Sequence, residues 1–261
     1  MAVLVSQPTK AVIIAAGAGK RCRPYTDALP KSLLPVNGKS ILEHELDALR
    51  ANGISNVSLV RGYQGHKFAQ PGIRYYDNTG YEQNNILNSL MVAEQELDGD
   101  CLVSYGDILY TAGVVSAALR SPGDLAVVID TAWRRRYAGR STHPLSEAEK
   151  VVADEHGVIL QIGKYIENSE TVTGEFIGLV KLTGGGCQIF RQMFHEAKER
   201  YDGHPFQHAK TFREAYLTDM FQEITRRGVL VHTVPIEGNW VEIDTAEDYE
   251  YAKRVFKGAL L

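Results

Sequence analysis

Two glycines and a group of cations follow an apolar segment near the start of the chain. Residues 11–14 read A-V-I-I, which predicts a buried strand, and residues 15–31 read A-A-G-A-G-K-R-C-R-P-Y-T-D-A-L-P-K. Glycine lets a backbone approach a phosphate closely and turn its N–H groups toward it. Arg21 and Lys31 add positive charge that can neutralise a polyphosphate. This pattern predicts a nucleotide-binding loop. The loop residues expected to contact the nucleotide are Ala16, Gly17, Ala18 and Gly19.

The spacing excludes two familiar nucleotide motifs. A dinucleotide fingerprint needs G-x-G-x-x-G, but Cys22 stands where the third glycine would fall. A Walker A loop needs a glycine five residues before its Gly-Lys pair and a Ser or Thr after it, whereas Ile14 and Arg21 occupy those positions. Pro30 and Pro35 disfavour helix in the segment that follows, which favours a loop that wraps the ligand. The alternative interpretation is an ordinary glycine-rich turn with solvated cations.

Two carboxylates fall at the ends of predicted elements. Asp107 follows a predicted strand at 101–105, and Asp244 precedes a predicted helix at 245–256. Mg²⁺ prefers one or two protein carboxylates together with phosphate oxygens of the substrate, so this pair suits a magnesium site. The structural alternatives are a turn residue for Asp107 and a helix cap for Asp244. Because the phosphate-binding pattern is also present, we favour the metal interpretation for both.

The elements that would position these residues alternate between strand and helix. Ser40 and Glu43 have the spacing of a capping box that opens a helix. Further strands are predicted at 57–60, 73–76 and 127–129, with helices at 86–97 and 114–119. This alternation predicts an α/β fold, a doubly wound, mostly parallel mixed sheet. Ligands of such sheets bind beyond the carboxyl ends of the strands, which places the glycine loop at the active site.

The second half of the chain is less regular and is predicted to complete the same domain. Residues 133–144 are expected to form a small insertion over the active site. We therefore predict a single domain over 1–261, with a nucleotide-binding half at 11–130 and an acceptor-binding half at 131–261. The elements predicted after the insertion are a hairpin over 151–162, strands at 176–182 and 229–235, a helix that follows a glycine break at 184–186 and runs to about 200, and a helix at 218–227.

Composition narrows the class of protein. A chain of 261 residues can bury a substantial core, and a net charge of −4 argues against broad nucleic-acid affinity. The sequence has no apolar stretch long enough to cross a membrane, and its first ten residues lack the pattern of a signal peptide. The three cysteines have no metal-binding spacing, which favours a cytoplasmic protein. These features predict neither a nucleic-acid nor a membrane partner and leave a homodimer open.

Together these residues resemble the nucleotidyltransferases that activate sugar 1-phosphates, phosphocholine and phosphonates. The family loop reads G-x-G-x-R followed by P-K, as at 17–21 and 30–31, and its metal aspartates resemble Asp107 and Asp244. The second of these lies in a W-x-E-I-D-like segment at 240–244. The resemblance implies a Rossmann-like nucleotidyltransferase fold. It also implies transfer of a nucleotidyl group from an NTP to a phosphate or phosphonate oxygen, with release of pyrophosphate.

The resemblance implies a role for each matching residue. Arg21 and Lys31 would hold the triphosphate, and Lys31 would also oppose charge that builds on the α-phosphate. Asp107 and Asp244 would hold Mg²⁺. Lys164 resembles a family lysine that reaches the acceptor phosphate, although a solvated lysine at a strand end is the alternative.

The segment before the second helix separates two branches of the family. Sugar-activating members carry a P-x-G-T-A-G-A-like segment there, whereas residues 84–90 of this chain read N-N-I-L-N-S-L. The difference resembles the branch that acts on phosphocholine, phosphonates and related compounds, whose usual donor is CTP. Asn84 and Ser89 are therefore expected to contact a pyrimidine, with helix capping as the alternative for each.

The acceptor is the least determined part of the prediction. The segment 133–137 reads W-R-R-R-Y, and it resembles the corresponding segment of enzymes that cytidylylate 2-aminoethylphosphonate or 2-hydroxyethylphosphonate. Arginine forks suit phosphonate oxygens, although a solvated cationic face is the alternative. Carboxylates could hold a cationic amine, and aromatic rings could form a cage for a choline-type head. The arginine excess favours a phosphonate. The residues expected at the acceptor are Asp130, Trp133, Arg140, Tyr165, Glu175 and Trp240.

Three other functions stay open from the sequence. A sugar-1-phosphate uridylyl- or guanylyltransferase would share the loop and the aspartates. A non-catalytic nucleotide-sensing domain would keep the fold, but it has no need of Lys31 and both aspartates. A dehydrogenase is disfavoured because the third glycine is missing and no acidic residue ends the second strand, at 60–62.

Overall fold

The apolar run at 11–14 forms the predicted strand, β1 (Lys10–Ala15), inside a large mixed sheet. The computed structural model describes residues 9–167 and 170–256. The other strands are β2 (Pro35–Val36), β3 (Lys39–Ser40), β4 (Val57–Arg61), β5 (Ile73–Asp77), β6 (Cys101–Tyr105), β7 (Ile108–Tyr110), β8 (Leu125–Asp130), β9 (Lys150–Ala153), β10 (Ile159–Gly163), β11 (Gly174–Leu182), β12 (His232–Ile236) and β13 (Trp240–Glu242). The α-helices are α1 (Ile41–Arg50), α2 (Ile86–Leu90), α3 (Ala112–Arg120), α4 (Arg134–Tyr137), α5 (Gly184–Tyr201), α6 (Leu217–Arg226) and α7 (Ala246–Val255).

The order of strands confirms the α/β prediction. Hydrogen-bonded neighbours run β10–β9–β11–β6–β1–β4–β5, and β8 joins β11 to β12. β1 is parallel to both β4 and β6, and β4 is parallel to β5. β11 runs antiparallel to β6, β8 and β9, which makes the sheet mixed. The carboxyl ends of β1, β4 and β6 therefore meet at one edge, where the glycine loop begins.

β1 shows why helices cover both faces of the sheet. Its side chains alternate between two hydrophobic clusters, because successive residues of a strand point to opposite faces. Val12 and Ile14 pack with side chains from α2, α5 and α6. Ala11 and Ile13 pack with side chains from α1 and α3. A strand buried on both faces reads as a continuous apolar run, which is the pattern that residues 11–14 display.

The first helix begins with the predicted capping box, while two other predicted helices have different bounds or geometry in the structure. Ser40 and Glu43 form the capping box that opens α1. The predicted helix at 86–97 is α2 followed by a 3₁₀ segment, Met91–Glu96, with non-helical backbone at Ala93. The glycines at 184–186, predicted to break the chain before a helix, instead form the first turn of α5, which Thr183 caps. An added Cβ on Gly186 would lie 2.1 Å from the Asp124 carbonyl oxygen, so this turn packs too closely for a side chain at position 186.

Two short strands that the sequence did not predict connect distant parts of the chain. β7 and β13 form an antiparallel pair in which Ile108 lies opposite Glu242 and Tyr110 lies opposite Trp240. Each strand has only three residues, so neither shows a periodic pattern. Among the helices of the described residues, none combines the length and hydropathy needed to span a membrane.

The turn between β6 and β7 requires glycine at position 106. An added Cβ there would lie 2.9 Å from Cβ of Ala15 and Oγ of Ser32, and 3.0 Å from the Ile14 carbonyl oxygen. We expect Gly106→Ala to lower the free energy of unfolding by about 1–3 kcal/mol because the extra methyl overpacks this turn. Urea unfolding measures the change. Gly99→Ala is the control, because nothing lies within 4 Å of its added Cβ in the described part of the chain. Equal stability of the two variants would contradict the expectation.

Candidate active site

A cavity of about 350 Å³ opens at the carboxyl ends of β1 and β6. One wall comes from the glycine loop and the segment around α2, and the opposite wall comes from β11 and the ends of β9 and β10. Gly178 has a φ of +88° in β11, and an added Cβ there would lie 2.7 Å from the Tyr105 ring. A glycine therefore lets β11 pass close to Tyr105, so that residues 175–177 reach the cavity.

Lys31 is the centre of the charged group in this cavity. Its Nζ lies 2.7 Å from Oδ2 of Asp107 and 3.1 Å from Oδ1 of Asp244. Arg21 donates from Nη2 to the second oxygen of Asp244 over 2.8 Å. The four residues singled out from the loop and the two aspartate motifs thus form one connected group, in which Asp244 contacts both cations and Lys31 contacts both carboxylates.

The β7–β13 pair brings the two aspartates together. Asp107 lies in the turn after β6, and its backbone carbonyl accepts a hydrogen bond from the Ile243 N–H over 2.9 Å. That bond places Asp244 beside Asp107 although 136 positions separate them along the chain. Asp244 does not cap α7, since Thr245 and Asp248 form the capping box. Its side chain is left for the cavity.

The charges in this group stabilise one another. Burial alone would raise the pKa of Asp244, but Lys31 and Arg21 outweigh that effect and lower this pKa to about 2. Burial alone would lower the pKa of Lys31, but Asp107 and Asp244 raise it well above its usual value. Lys31 and Asp244 therefore stay charged across the physiological pH range.

Two sets of side chains offer ligands for a metal ion. Asp107 and Asp244 present carboxylate oxygens at one point, and this donor set fits Mg²⁺. His143, Glu242 and Asp244 also offer ligand atoms within 4.8 Å of one another. In that second set Arg140 donates to Nδ1 of His143 over 2.8 Å, so a cation already lies beside the imidazole. Lys31 likewise lies between the carboxylates of the first set. The first set is the better candidate because it offers only oxygen ligands, which Mg²⁺ prefers.

The loop residues predicted to contact the nucleotide lie at the cavity wall. Ala16, Gly17 and Gly19 line the cavity, and Ala18 lies between the two glycines in the same loop. Gly19 has a φ of +58°, and an added Cβ would lie 3.0 Å from Cγ2 of Thr26. Glycine at this position therefore keeps the loop tight against the segment that leads to Lys31.

Asn84 and Ser89 also line the cavity, and neither caps the helix. The cap of α2 is Asn85, whose Oδ1 accepts from the Ile86 N–H over 2.8 Å. Asn84 and Ser89 instead contact Asn78, a buried residue that follows β5. Capping, the alternative for Asn84 and Ser89, is therefore wrong for both.

The opposite wall combines one lysine with several carboxylates and aromatic rings. Lys164 lines the cavity, where its Nζ lies 3.1 Å from Glu147 and 4.5 Å from the centre of the Tyr216 ring. Glu175 also lines the cavity, and one of its oxygens accepts from the Tyr137 hydroxyl. Its other oxygen, Oε2, is buried without a hydrogen-bond partner among the residues that the structure describes.

The predicted aromatic cage does not form, because its members are used in packing. Trp133 is 1% exposed and belongs to a small hydrophobic cluster of its own. Tyr165 stacks on His208 with ring centres 3.4 Å apart. Trp240 is 4% exposed and lies under the Arg136 guanidinium, 3.5 Å from ring centre to Cζ. These three rings lie outside the cavity lining.

Asp130 and Arg140, which were predicted to contact the acceptor, also bind partners within the protein. Asp130 is buried and accepts hydrogen bonds from the Trp240 indole over 2.9 Å and from the backbone N–H of Ala132. Arg140 donates to Asp248 over 2.8 Å from Nε and lies 2.7 Å from it at Nη2. Both side chains bind buried partners and neither lines the cavity, so the structure does not place them where the prediction expected an acceptor.

Several lining residues were not predicted. Glu242 is part of the segment 240–244 that suggested Asp244, and its place two residues before that aspartate was an available signal. Burial and the nearby charge of Asp244 raise the pKa of Glu242 well above its usual value. Tyr105, Glu149 and Tyr216 carry no distinguishing local pattern, because their position depends on how β9, β11 and α6 pack.

The family follows from this site together with comparison to known proteins. Residues 11–220 match the model of the MobA-like NTP transferase domain, and the chain belongs to this family. It is a nucleotidyltransferase, as the resemblance of its motifs implied. Cytidylyltransferases recur among its relatives.

Two relatives and one solved structure show the extent of the similarity. The CTP:phosphoglutamine cytidylyltransferase of Campylobacter jejuni is 28% identical over 256 residues, which cover 92% of this chain and 97% of that protein. The 2-aminoethylphosphonate cytidylyltransferase of Lancefieldella rimae is 34% identical over 198 residues, or 74% of each chain. The inositol-1-phosphate CTP transferase from T. maritima superposes with a TM-score of 0.72 at 22% identity, covering 97% of this chain and 98% of that one. That likeness supports the Rossmann-like fold.

The Arg140–Asp248 pair generates a stability prediction. Arg140 is 10% exposed and Asp248 is 4% exposed, so removing the guanidinium leaves a buried charge with less compensation. We expect Arg140→Leu to lower the free energy of unfolding by about 3 kcal/mol, measured by urea unfolding at pH 7. Arg135→Leu, an exposed position of α4, is the matched control and should change stability little. A loss at position 140 no larger than the control would show that the pair is not needed.

Proposed function

We propose that this protein is a CTP-dependent cytidylyltransferase that joins CMP to a small phosphonate or phosphate monoester bearing a cationic group, with release of pyrophosphate. The observation that carries the proposal is the group formed by Lys31, Asp107 and Asp244 beside the glycine loop. It faces Lys164 and an acidic, aromatic wall across one cavity. Residues 11–130 would hold the nucleotide, and residues 131–261 would supply most contacts to the acceptor.

The reaction requires charge neutralisation and alignment. An oxygen of the acceptor attacks the α-phosphorus of CTP, a new P–O bond forms, and the bond to the leaving pyrophosphate breaks. Arg21 and Lys31 would bind the triphosphate and oppose the negative charge that increases on the α-phosphate. Lys164 would bind the phosphoryl group of the acceptor and orient it for attack. Asp107 and Asp244 would hold Mg²⁺, which when bound supplies further positive charge at the reacting phosphates.

The acceptor wall supports an amine or quaternary ammonium group. Glu175 lines the cavity with a buried oxygen that accepts no hydrogen bond among the described residues, and Nη1 of Arg136 lies 3.9 Å from that oxygen. A cationic group of the substrate would share this carboxylate with the guanidinium. Glu149 lies nearby, and the Tyr105 and Tyr216 rings can contact the same cation. Relatives are named for 2-aminoethylphosphonate and for choline phosphate, both of which bear nitrogen.

The arginine run no longer separates a phosphonate from a phosphate monoester. Arg134 lies over the Trp133 ring and Arg136 lies over the Trp240 ring, while Arg135 is exposed. Arg136 also lies 3.9 Å from Oε2 of Glu175, a residue of the cavity wall, but none of the three arginines belongs to the cavity lining. The proposal therefore names the class of acceptor by its phosphoryl oxygen and its cationic group.

A pyrophosphate-release assay tests the proposed reaction. We expect the wild type to turn over CTP with 2-aminoethylphosphonate or phosphocholine at least tenfold faster than with UTP or with a hexose 1-phosphate. Asp107→Ala and Lys31→Met should each lower kcat by about 10²–10³-fold, because each removes a charge that the transition state requires. Lys39→Met removes an exposed lysine on β3 and is the matched control.

Two outcomes of this assay would contradict the proposal. Faster turnover of a hexose 1-phosphate with UTP or GTP would indicate the sugar-activating branch. Binding of Mg–NTP with no pyrophosphate released by any acceptor would indicate a nucleotide sensor.

The acidic wall predicts a pH dependence for acceptor binding. Burial raises the pKa of Glu149 to about 7, although the Lys164 charge opposes the shift. The carboxyl is therefore mainly neutral at pH 6 and mainly charged at pH 8, so attraction to a cationic acceptor increases with pH. We expect the KM for 2-aminoethylphosphonate to fall between pH 6 and pH 8 in the wild type, beyond any change that the substrate's own titration causes.

Glu149→Gln isolates this effect, because glutamine keeps the shape and cannot ionise. The ratio of KM in the variant to KM in the wild type should increase from pH 6 to pH 8. Glu155→Gln, an exposed position between β9 and β10, is the control. A ratio that does not change with pH would show that Glu149 does not bind the cation.

A further inference from the structure

Asn78 lies behind the nucleotide wall and uses its whole side-chain amide within the protein. It is 3% exposed, and its backbone N–H is bonded to the Arg61 carbonyl over 2.8 Å. Its Oδ1 accepts from the Gly80 N–H and from Nδ2 of Asn84, each over 3.1 Å. Its Nδ2 donates to Oδ1 of Asn84 over 3.0 Å and to Oγ of Ser89 over 2.9 Å. An amide has two donor hydrogens and one acceptor oxygen, so Asn78 has no N–H left for a ligand.

This arrangement sets the orientation of the Asn84 amide. The carbonyl oxygen of Asn84 accepts from Nδ2 of Asn78 and from Oγ of Ser89, the latter over 3.2 Å. A rotation of that amide by 180° would place N–H groups against two donors and lose these bonds. One N–H of Asn84 returns to Asn78, and the reciprocal geometry of the two amides directs the other N–H away from Asn78. Asn84 lines the cavity, so it presents a donor there.

The Ser89 hydroxyl forms hydrogen bonds within the same network. Its hydroxyl accepts from Asn78 and donates its one hydrogen to Asn84. Asn85, the remaining amide of this wall, caps α2 through its oxygen and donates to the Glu214 carbonyl over 3.1 Å. Two amide N–H groups are therefore left for a nucleobase among the described residues of this wall, one on Asn84 and one on Asn85, and the network of Asn78 and Ser89 orients the one on Asn84.

We propose that Asn78 is a positioning residue for base selection, which holds the Asn84 N–H toward the base and so favours cytosine over uracil. The inference rests on the proposed function and deepens it. Cytosine presents two neighbouring acceptors, N3 and O2, to a donor at its pairing edge, whereas uracil presents an N–H at position 3. A site whose donor faces another donor discriminates strongly, because a buried polar group is then left without a partner.

Asn78→Asp tests the inference by removing the donors that fix Asn84. The new carboxylate accepts hydrogen bonds but cannot donate them. In either orientation of the Asn84 amide, one N–H then meets one carboxylate oxygen and the carbonyl meets the other, so residue 78 no longer favours one orientation. The rotated orientation, which presents an acceptor that suits the uracil N–H, is then populated as well. We expect the ratio of kcat/KM for CTP to that for UTP to fall at least tenfold, with the activity on UTP retained or increased. A merely structural role would lower both activities together and leave the ratio unchanged.

Asn52→Asp is the matched control. Asn52 donates to two backbone carbonyls at the end of α1, those of Ala48 and Ala112, away from the cavity. Its replacement should leave the CTP-to-UTP ratio within twofold of the wild type. If Asn78→Asp fails to fold, Ser89→Ala decides the question, because it removes one of the two donors to the Asn84 carbonyl. A reduced ratio in that variant supports the inference, and an unchanged ratio overturns it.

Calorimetric titration with Mg–CTP and Mg–UTP separates this inference from the proposed function. A wild type that binds neither nucleotide and releases no pyrophosphate would overturn the proposed function. A wild type that prefers CTP, with the same preference in Asn78→Asp, would overturn only the assignment of Asn78. A preference for CTP that is lost in the binding measurement as well as in the kinetic ratio would support both.

Discussion

The ammonium of Lys31 between two carboxylates is the interaction on which this site depends. A buried charge without partners is costly, and each charge here is tolerated because the others compensate it. The low pKa of Asp244 and the raised pKa of Lys31 express the same mutual stabilisation. Asp244 reaches this position only when β13 pairs with β7. The site is therefore complete only when the C-terminal part of the chain is folded onto the β6–β7 turn.

The same requirement explains the insertion between β8 and β9. Arg140 binds Asp248, and the backbone N–H groups of Ser141 and Thr142 donate to Glu247. These contacts hold the first turn of α7, which directly follows Asp244. Cations that looked suited to a substrate thus stabilise the segment that carries a candidate metal ligand. In the proposed function, recognition of the acceptor falls to the wall formed by Lys164 and the carboxylates around it.

The predictions that succeeded depended on interactions between residues close together in the sequence. β1, the glycine loop and the capping box of α1 depend on neighbours within a few residues, so their patterns were readable. The aromatic cage depended on which rings face the cavity, and burial decides that. Trp133 and Tyr216 are both aromatic residues beside charged segments, yet one packs inside a hydrophobic cluster and the other lines the cavity. Composition and spacing carry no information that distinguishes them.

By itself, the sequence determined the α/β class, the nucleotide loop with Arg21 and Lys31, and two aspartates at element ends, because strand periodicity, glycine geometry and charge act locally. Only the tertiary structure brings Asp107 and Asp244 together. Their proximity requires the pairing of two three-residue strands that are distant in the sequence and have no periodic pattern of their own. The tertiary structure also decides the direction of the Asn84 amide. It depends on hydrogen bonds from Asn78 and Ser89, and an amide side chain has no preferred end until its partners are in place.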